Sequence, residues 1–553
     1  MLRLGLVTLA LVAASQNALA QQAFSAGAQI QQIPPVQAPR KSIPDIRVES
    51  RETPAAPGPI GAKVLVSALH VTGETLFPEA ALVAATGFRP GVELSLSELR
   101  TMAAKITSFY NRRGYFVAQA YLPAQDVKDG AVTITVIEGR YGKIVVHNKT
   151  NLSNGLIRSI LSGLNPGDPV TSAPLERRLL LLSDIPGVAV RSTLVPGAEV
   201  GASDLIVDVT PGRRMSGVIE ADNAGNRYTG AYRLGATVNF NDILGQGDMA
   251  SVRALSSFDG LNYVRGSYQA QVGEATVGVA YAALNYRLGK EFKSLDARGS
   301  AQIASLYGSY PLIRSYDDNL YVMVDFDAKT FQDKVGVITS VTDKRAGVAT
   351  VGLYGDHHDT LWGGGWNTFS VYGSYGDLDI RTPAARLADA ATARTNGGYG
   401  KLTFELSRLQ TIAGPLSLYG DIRGQIASKN LDISEKMELG GAYGVRAYPE
   451  GEAYGDEGYL ASLEARWRLP PWRLPGQLQA IGFVDTGAVY SAKSPWFVGP
   501  NRATRSGAGV GLIWADNNNF VLKATYAHRL GDTRVASGPD SSDRFWIQAA
   551  KFF

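Results

Sequence analysis

The chain has 553 residues, room for several domains, with 19% charged residues and a formal charge of only +4. So weak a bias points to neither nucleic acid nor an acidic partner. Glycine (61) and tyrosine (25) are abundant and cysteine is absent, which excludes disulfides and thiolate metal sites.

The chain opens MLRLGLVTLALVAASQNALA, with a basic Arg3, an apolar run from Leu4 to Ala14, and Ala18-Leu19-Ala20 before Gln21. Residues 1–20 read as a secretory signal peptide, cut between Ala20 and Gln21. The apolar run is too short to span a bilayer, and no later stretch of about 18 apolar residues predicts a spanning helix. The mature chain is therefore expected to be exported, either into a membrane by strands or as a soluble protein. Residues 21–61 are polar and carry Pro34, Pro35, Pro39, Pro44, Pro54, Pro57 and Pro59. That composition predicts an extended, largely unpacked linker, with a short helix near Ala28–Gln32 as its one candidate element.

Two similar units follow, at residues 62–140 and 141–212. The first begins with a strand over Val64–Gly73 and a helix over Pro78–Thr86. A second helix over Ser97–Asn111 sets Leu99, Met102, Ala103, Ile106, Phe109 and Tyr110 on one face. Ser95 or Ser97 supplies its cap and Gly114 its stop. Strands over Phe116–Pro123 and Ala131–Gly139 complete the unit. The second unit repeats the order: a strand at Lys143–Asn148, helices at Leu152–Leu161 and Ala173–Ser183, then strands at Val188–Pro196 and Leu205–Gly212. Both read as small α+β domains whose open sheet edges can accept an extended peptide, or serve merely as spacers.

From Met215 to Phe553 helical periodicity gives way to period two. In NLYVMVDFDAK, Leu320, Val322, Val324, Phe326 and Ala328 oppose Tyr321, Met323, Asp325, Asp327 and Lys329. A soluble sandwich or solenoid would turn the apolar face inward; a membrane barrel would turn it to lipid. Three features favour a transmembrane antiparallel β-barrel: runs of about 9–12 residues, aromatic residues near run ends such as Tyr459 and Trp467, and an even total of about sixteen runs. The last run, RFWIQAAKFF, ends on Phe553 as a C-terminal barrel signal.

One connection, about residues 428–457, is too long for a hairpin, and long loops without structure of their own are usually functional or disordered. Gly441, Gly444 and Pro449 shape it around Arg446. One hairpin later, Phe483, Asp485 and Gly487 share the lumen face of a strand. If the loop folds inward, Arg446 can reach Asp485 as a partly desolvated bidentate pair; otherwise Arg446 is a solvated loop charge. Catalytic motifs are absent: there is neither a G-x-S-x-G elbow nor a phosphate-binding loop. The five histidines suggest no metal site, since the adjacent His357 and His358 would face opposite sides of a strand. No enzyme, cofactor or metal is expected.

These residues carry a resemblance. Val445-Arg446-Ala447-Tyr448 resembles the V-R-G-Y motif of two-partner secretion outer-membrane transporters, the TpsB family of haemolysin and filamentous-haemagglutinin exporters. Ala447 stands where that family has glycine. Phe483-Val484-Asp485-Thr486-Gly487 resembles its F-x-D-x-G strand, Asp222–Asp248 its D-N-x-G…T-G…N-x-x-G-x-G-D signature, and YPLIRS (Tyr310–Ser315) is similar too. The resemblance implies two periplasmic POTRA domains, a sixteen-stranded barrel in the bacterial outer membrane, and a lumen-folded sixth loop carrying the motif Gly444, Val445, Arg446 and Tyr448. It implies an Arg446–Asp485 salt bridge to the strand motif Phe483, Asp485 and Gly487. It further implies export of an unfolded β-helical exoprotein bound through the POTRA domains, insertion by the barrel-assembly machinery, and a plug helix, which Gln21–Ile33 would supply. An assembly insertase of the same superfamily and a passive porin are the rival readings. The first typically has more POTRA domains, and the second leaves both α+β units unexplained.

Overall fold

The computed structural model describes residues 25–36, 45–48, 63–471, 473, 475–517 and 519–553. The expected signal peptide and its Ala20–Gln21 junction lie outside them. The chain forms two compact units, Ser42–Arg213 with Leu244–Gly247, and the remainder. Helix α1 (Ala26–Gln31) belongs to the larger unit; the smaller begins with β1 (Asp45–Val48).

The first α+β domain runs β2 (Lys63–Val66), β3 (Ala68–Thr72), α2 (Glu79–Thr86), β4 (Val92–Ser95), α3 (Leu96–Asn111), β5 (Gln119–Tyr121) and β6 (Ala131–Ile137). The single strand expected over Val64–Gly73 is two. Ser67 breaks it by donating its N–H to Gly130 O at 2.8 Å, so β2 pairs with β4 while β3 pairs in parallel with β6. Helix α3 starts on a reciprocal Ser95–Glu98 capping box and buries Leu99, Ala103, Ile106 and Tyr110. The second domain comprises β7 (Arg140–Asn148), α4 (Asn154–Leu161), α5 (Ser172–Ser183), β8 (Val188–Pro196) and β9 (Ala202–Pro211). Its sheet order is β1-β8-β9-β7. Residues expected to be unpacked linker thus supply an edge strand: Asp45–Val48 lies parallel to Arg191–Leu194. A free sheet edge presents unpaired N–H and C=O groups, and a nearby extended segment satisfies them.

Glu138 joins the two domains. It is 5% exposed. Its carboxylate accepts the N–H groups of Thr75 (2.7 Å) and Leu76 (2.8 Å), the Tyr110 hydroxyl (2.9 Å) and the Thr75 hydroxyl. Arg140 reaches from Thr75 Oγ1 (2.7 Å) in the first domain to the Gly167 carbonyl (3.0 Å) in the second. Burial alone would raise the Glu138 carboxyl, but the hydrogen bonds from Thr75, Leu76 and Tyr110 outweigh it and hold it below the usual range. A depressed folded-state value stabilises the fold above the ordinary glutamate value of about 4.3, and that contribution is lost as pH falls through the folded value. Glu138→Gln should cost roughly 1.5–3 kcal/mol in urea unfolding of this unit at neutral pH. The gap to wild type should narrow below about pH 4.

The larger unit is a closed barrel of sixteen antiparallel strands. They begin β10 (Met215–Asp222), β11 (Arg233–Asn241), β12 (Met249–Ser256), β13 (Leu261–Val272) and β14 (Ala275–Arg287). The long central strands are β15 (Ala297–Arg314), β16 (Asp318–Val335), β17 (Ser340–Asp359), β18 (Gly365–Ile380) and β19 (Gly397–Ala413). After β20 (Leu416–Ala427) the sixth loop carries the two short strands β21 (Met437–Glu438) and β22 (Tyr454–Gly455). The wall then resumes with β23 (Glu457–Arg468), β24 (Gln477–Tyr490), β25 (Arg502–Asp516), β26 (Phe520–Arg529) and β27 (Asp543–Phe552). Strand β27 closes on β10, Val218 opposite Phe552, and Phe553 exchanges backbone hydrogen bonds with Gly217.

Val324, Phe326, Leu463 and Val484 stand exposed on the outer face, while their strand neighbours Asp325, Asp327, Glu464 and Asp485 turn inward. Outward apolar and inward charged side chains are what a lipid-embedded, water-filled barrel requires. Two expectations need correction. The central strands run 16–20 residues, not 9–12, because pairing continues past the apolar belt into polar segments. A helix also interrupts the strand pattern: α6 (Pro383–Ala391), opened by Pro383 at its first turn between β18 and β19. Among the described residues no helix is long and apolar enough to cross a membrane.

Candidate functional site: a lumen loop latched to the barrel wall

The sixth loop is not structureless. It contains a 3-10 turn at Ile433–Glu435 and the β21–β22 ribbon. Its tip is a compact turn in which Val445 N–H donates to Leu439 O (2.9 Å) and Tyr448 N–H to Val445 O (3.0 Å). Gly444 is needed there: a Cβ would stand 2.2 Å from Gly440 O. Val445, Ala447 and Tyr448 are fully buried with Leu439, Leu460, Ile481 and Phe483, so the tip is packed within the larger unit rather than lying in solvent. Ala447 does not have positive φ, so the backbone has no need of glycine; room for its methyl comes from Gly507 on the wall.

Arg446 is 4% exposed. Nε donates to Asp485 Oδ2 at 2.8 Å and Nη2 to Oδ1 at 2.7 Å, a bidentate pair, and the Arg446 backbone N–H reaches Oδ2 at 3.1 Å. The guanidinium carbon lies 3.4 Å from the centre of the Phe483 ring. Gly487 keeps the wall low beside the loop: a Cβ there would meet Leu439 Cδ1 at 2.5 Å.

Sequence reasoning missed three partners of Arg446 and a second ion pair of the loop. Glu464 Oε1 accepts from Nη1 at 2.7 Å, so Arg446 answers two buried carboxylates. Ser462, directly opposite Asp485 in the β23–β24 register, accepts from Nη2 at 3.0 Å and donates to Asp485 Oδ1 at 2.8 Å. Trp546 Nε1 donates to the Arg446 carbonyl at 2.7 Å. Glu452, further along the loop, pairs with Arg505 at 2.7 Å and accepts the N–H groups of Ala536 and Ser537 from the connection between β26 and β27. Alternation alone puts Glu464 on the lumen face; only register sets it beside Asp485.

Helix α1 shares the interior of this unit. Ser25 caps it. Ala26 N–H donates to Asp333 (2.8 Å), Thr229 donates to Gln29 (2.9 Å), Arg233 holds the Gln32 carbonyl (2.8 Å), and Gln32 donates to Tyr454 of the sixth loop (2.7 Å). Elsewhere His357 faces Asp318 while His358 stacks on Trp366, on the opposite side of β17. Among the described residues no cluster of three or more His, Asp or Glu side chains has the arrangement of a metal site.

Residues 201–512 match the family described as haemolysin secretion/activation protein ShlB/FhaC/HecB, and residues 64–139 match the ShlB-type POTRA domain. The heme/hemopexin transporter protein HuxB of Haemophilus influenzae (strain 86-028NP) is 30% identical over 472 residues, 84% of this chain and 82% of that protein. The outer membrane transporter CdiB of Dickeya dadantii (strain 3937) is 24% identical over 416 residues, 72% of this chain and 71% of its own. The solved structure of CdiB from Escherichia coli superposes with a TM-score of 0.68 at 20% identity, covering 91% of this chain and 93% of that one. A barrel that turns apolar side chains outward, two α+β domains before it and these family matches lead to one conclusion: the chain belongs to the ShlB/FhaC/HecB family and is an outer-membrane two-partner secretion transporter that exports a partner protein through its β-barrel, with its POTRA domains in the periplasm.

Proposed function

We propose that the POTRA domains take up the amino-terminal secretion domain of an unfolded exoprotein, which then threads the lumen and folds into a β-helix outside. The open strands β3, β5 and β7 offer edges for this capture, whereas the β8 edge is covered by β1. Folding of the cargo beyond the membrane supplies direction, since its burial of apolar surface outside disfavours return. The Arg446–Asp485 pair latches the sixth loop in the closed state, Tyr448 and Val445 seat it, and Phe483 and Gly487 form its wall contact. Assembly of the barrel itself falls to the outer-membrane insertion machinery.

The observation that carries this reading is the nature of the obstruction. Loop and helix are tied to the wall through ion pairs and hydrogen bonds in a charged interior, which water can replace as they leave. The test uses the purified secretion domain of a partner exoprotein. It should bind full-length protein and residues 62–212, and it should not bind the barrel, residues 215–553. Equal binding to the barrel alone would overturn capture by the POTRA domains.

A further inference from the structure

The sixth loop is held at a second place, away from Arg446. Its turn Asp432–Glu435 lies among three wall lysines. Lys344 Nζ on β17 is 2.6 Å from Asp432 Oδ2. Lys329 on β16 and Lys401 on β19 each hold one oxygen of Glu435, at 2.8 and 2.7 Å. Asp432 and Glu435 are 7% and 3% exposed, so both charges are largely out of water and depend on these partners. Asp432 also orders the turn itself, accepting the Ser434 N–H (3.1 Å) and hydroxyl (3.0 Å). The Arg446 latch uses β23 and β24; this clasp uses a different arc of the wall.

The turn has a second neighbour, helix α1. Gly27 lies so close that a Cβ would stand 2.8 Å from Ser434 Cβ. The Ala26 N–H is bound by Asp333, on the same strand β16 that carries Lys329. A six-residue helix with an internal glycine has little stability of its own, so its position depends on the surfaces it packs against. We propose that Asp432 and Glu435, held by Lys344, Lys329 and Lys401, are positioning residues that form the seat of helix α1, and that releasing this clasp frees the helix while the Arg446 latch still holds the loop tip. Two anchors then divide the work: one fixes the loop, the other keeps the plug. The assignment rests on the export reading only in supposing that the vacated space serves cargo.

The chain contains no cysteine, so a single introduced thiol reports on one site. Ala28 is fully buried, and the thiol of Ala28→Cys should react slowly with a membrane-impermeant maleimide in reconstituted protein. Adding Asp432→Asn with Glu435→Gln should speed labelling by at least about tenfold, since breaking buried pairs is strongly destabilising. Loop residues 428–457 should stay resistant to trypsin in that variant. Arg446→Ala in the same background should do the reverse, exposing the loop to trypsin with labelling unchanged. Slow labelling in an Asp432→Asn/Glu435→Gln barrel that still shifts mobility on heating overturns the proposal. So does fast labelling in Arg446→Ala. If the double variant does not assemble, Lys344→Gln, which leaves the loop sequence intact, decides: faster labelling supports the seat and unchanged labelling overturns it. No cargo enters the assay, so its failure leaves the export reading standing, and failure of secretion-domain binding leaves the clasp standing.

Discussion

Arg446→Ala is expected to lower export of the partner by at least about tenfold while the barrel still assembles. The reason is electrostatic. Without the guanidinium, Asp485 at 0% and Glu464 at 3% exposure stay buried on neighbouring strands with their shared cation gone. Removing one partner of a buried ion pair costs about 3–5 kcal/mol, and each 1.4 kcal/mol is roughly a factor of ten in the latched population. Arg446→Lys should recover little. One ammonium cannot hold both oxygens of Asp485, reach Glu464 and stack on Phe483 together. Reversing the pair, Arg446→Asp with Asp485→Arg, is not expected to restore export either, because Glu464 would then stand beside a new carboxylate. The measurement is partner protein in the medium, normalised to the barrel band whose mobility shifts on heating. Normal export from an assembled Arg446→Ala barrel would remove the latch from the mechanism.

A charge placed at adjacent positions of β16 should have opposite consequences. Val324 is 54% exposed on the outward face, paired across the sheet with Val351 at 55%. Val324→Arg would put a guanidinium against hydrocarbon, at a cost of about 2–4 kcal/mol near the bilayer midplane. Met323→Arg, one residue earlier, turns the same charge into the lumen, where Asp325 and Asp327 share its face. The first variant should show severalfold less heat-modifiable barrel in outer-membrane fractions, and the second near wild-type amounts. Equal loss in both would mean that the two faces do not differ in solvent, and the membrane orientation drawn from their alternation would be wrong.

Much of this architecture is local in origin and was therefore legible. Period two in NLYVMVDFDAK is a property of consecutive residues, and it assigns Val324 outward and Asp325 inward whatever the neighbouring strand. The α3 helix follows from its apolar spacing and the Ser95–Glu98 cap. Alternation placed Asp485 on the lumen face and the length of its loop drew attention to Arg446, but the motifs around them are what paired the two. Alternation gives a side chain its face but not its height or neighbour, and those depend on register. Register sets Ser462 opposite Asp485 and Glu464 opposite Phe483, which completes the site around Arg446.

Barrel closure decides the rest. Trp546 meets Arg446 across 100 residues, Lys344 meets Asp432 across 88, and Asp333 meets Ala26 across 307. No window of sequence holds both members of such a pair. Helix α1 and strand β1 lie in a proline-rich segment without the periodicity of either element. They form because an interior wall and an open sheet edge supply the partners their own residues lack. The sequence by itself determined which faces meet lipid and which meet water; the tertiary structure determined which inward charges find each other, because that depends on strands brought side by side only when the sheet closes.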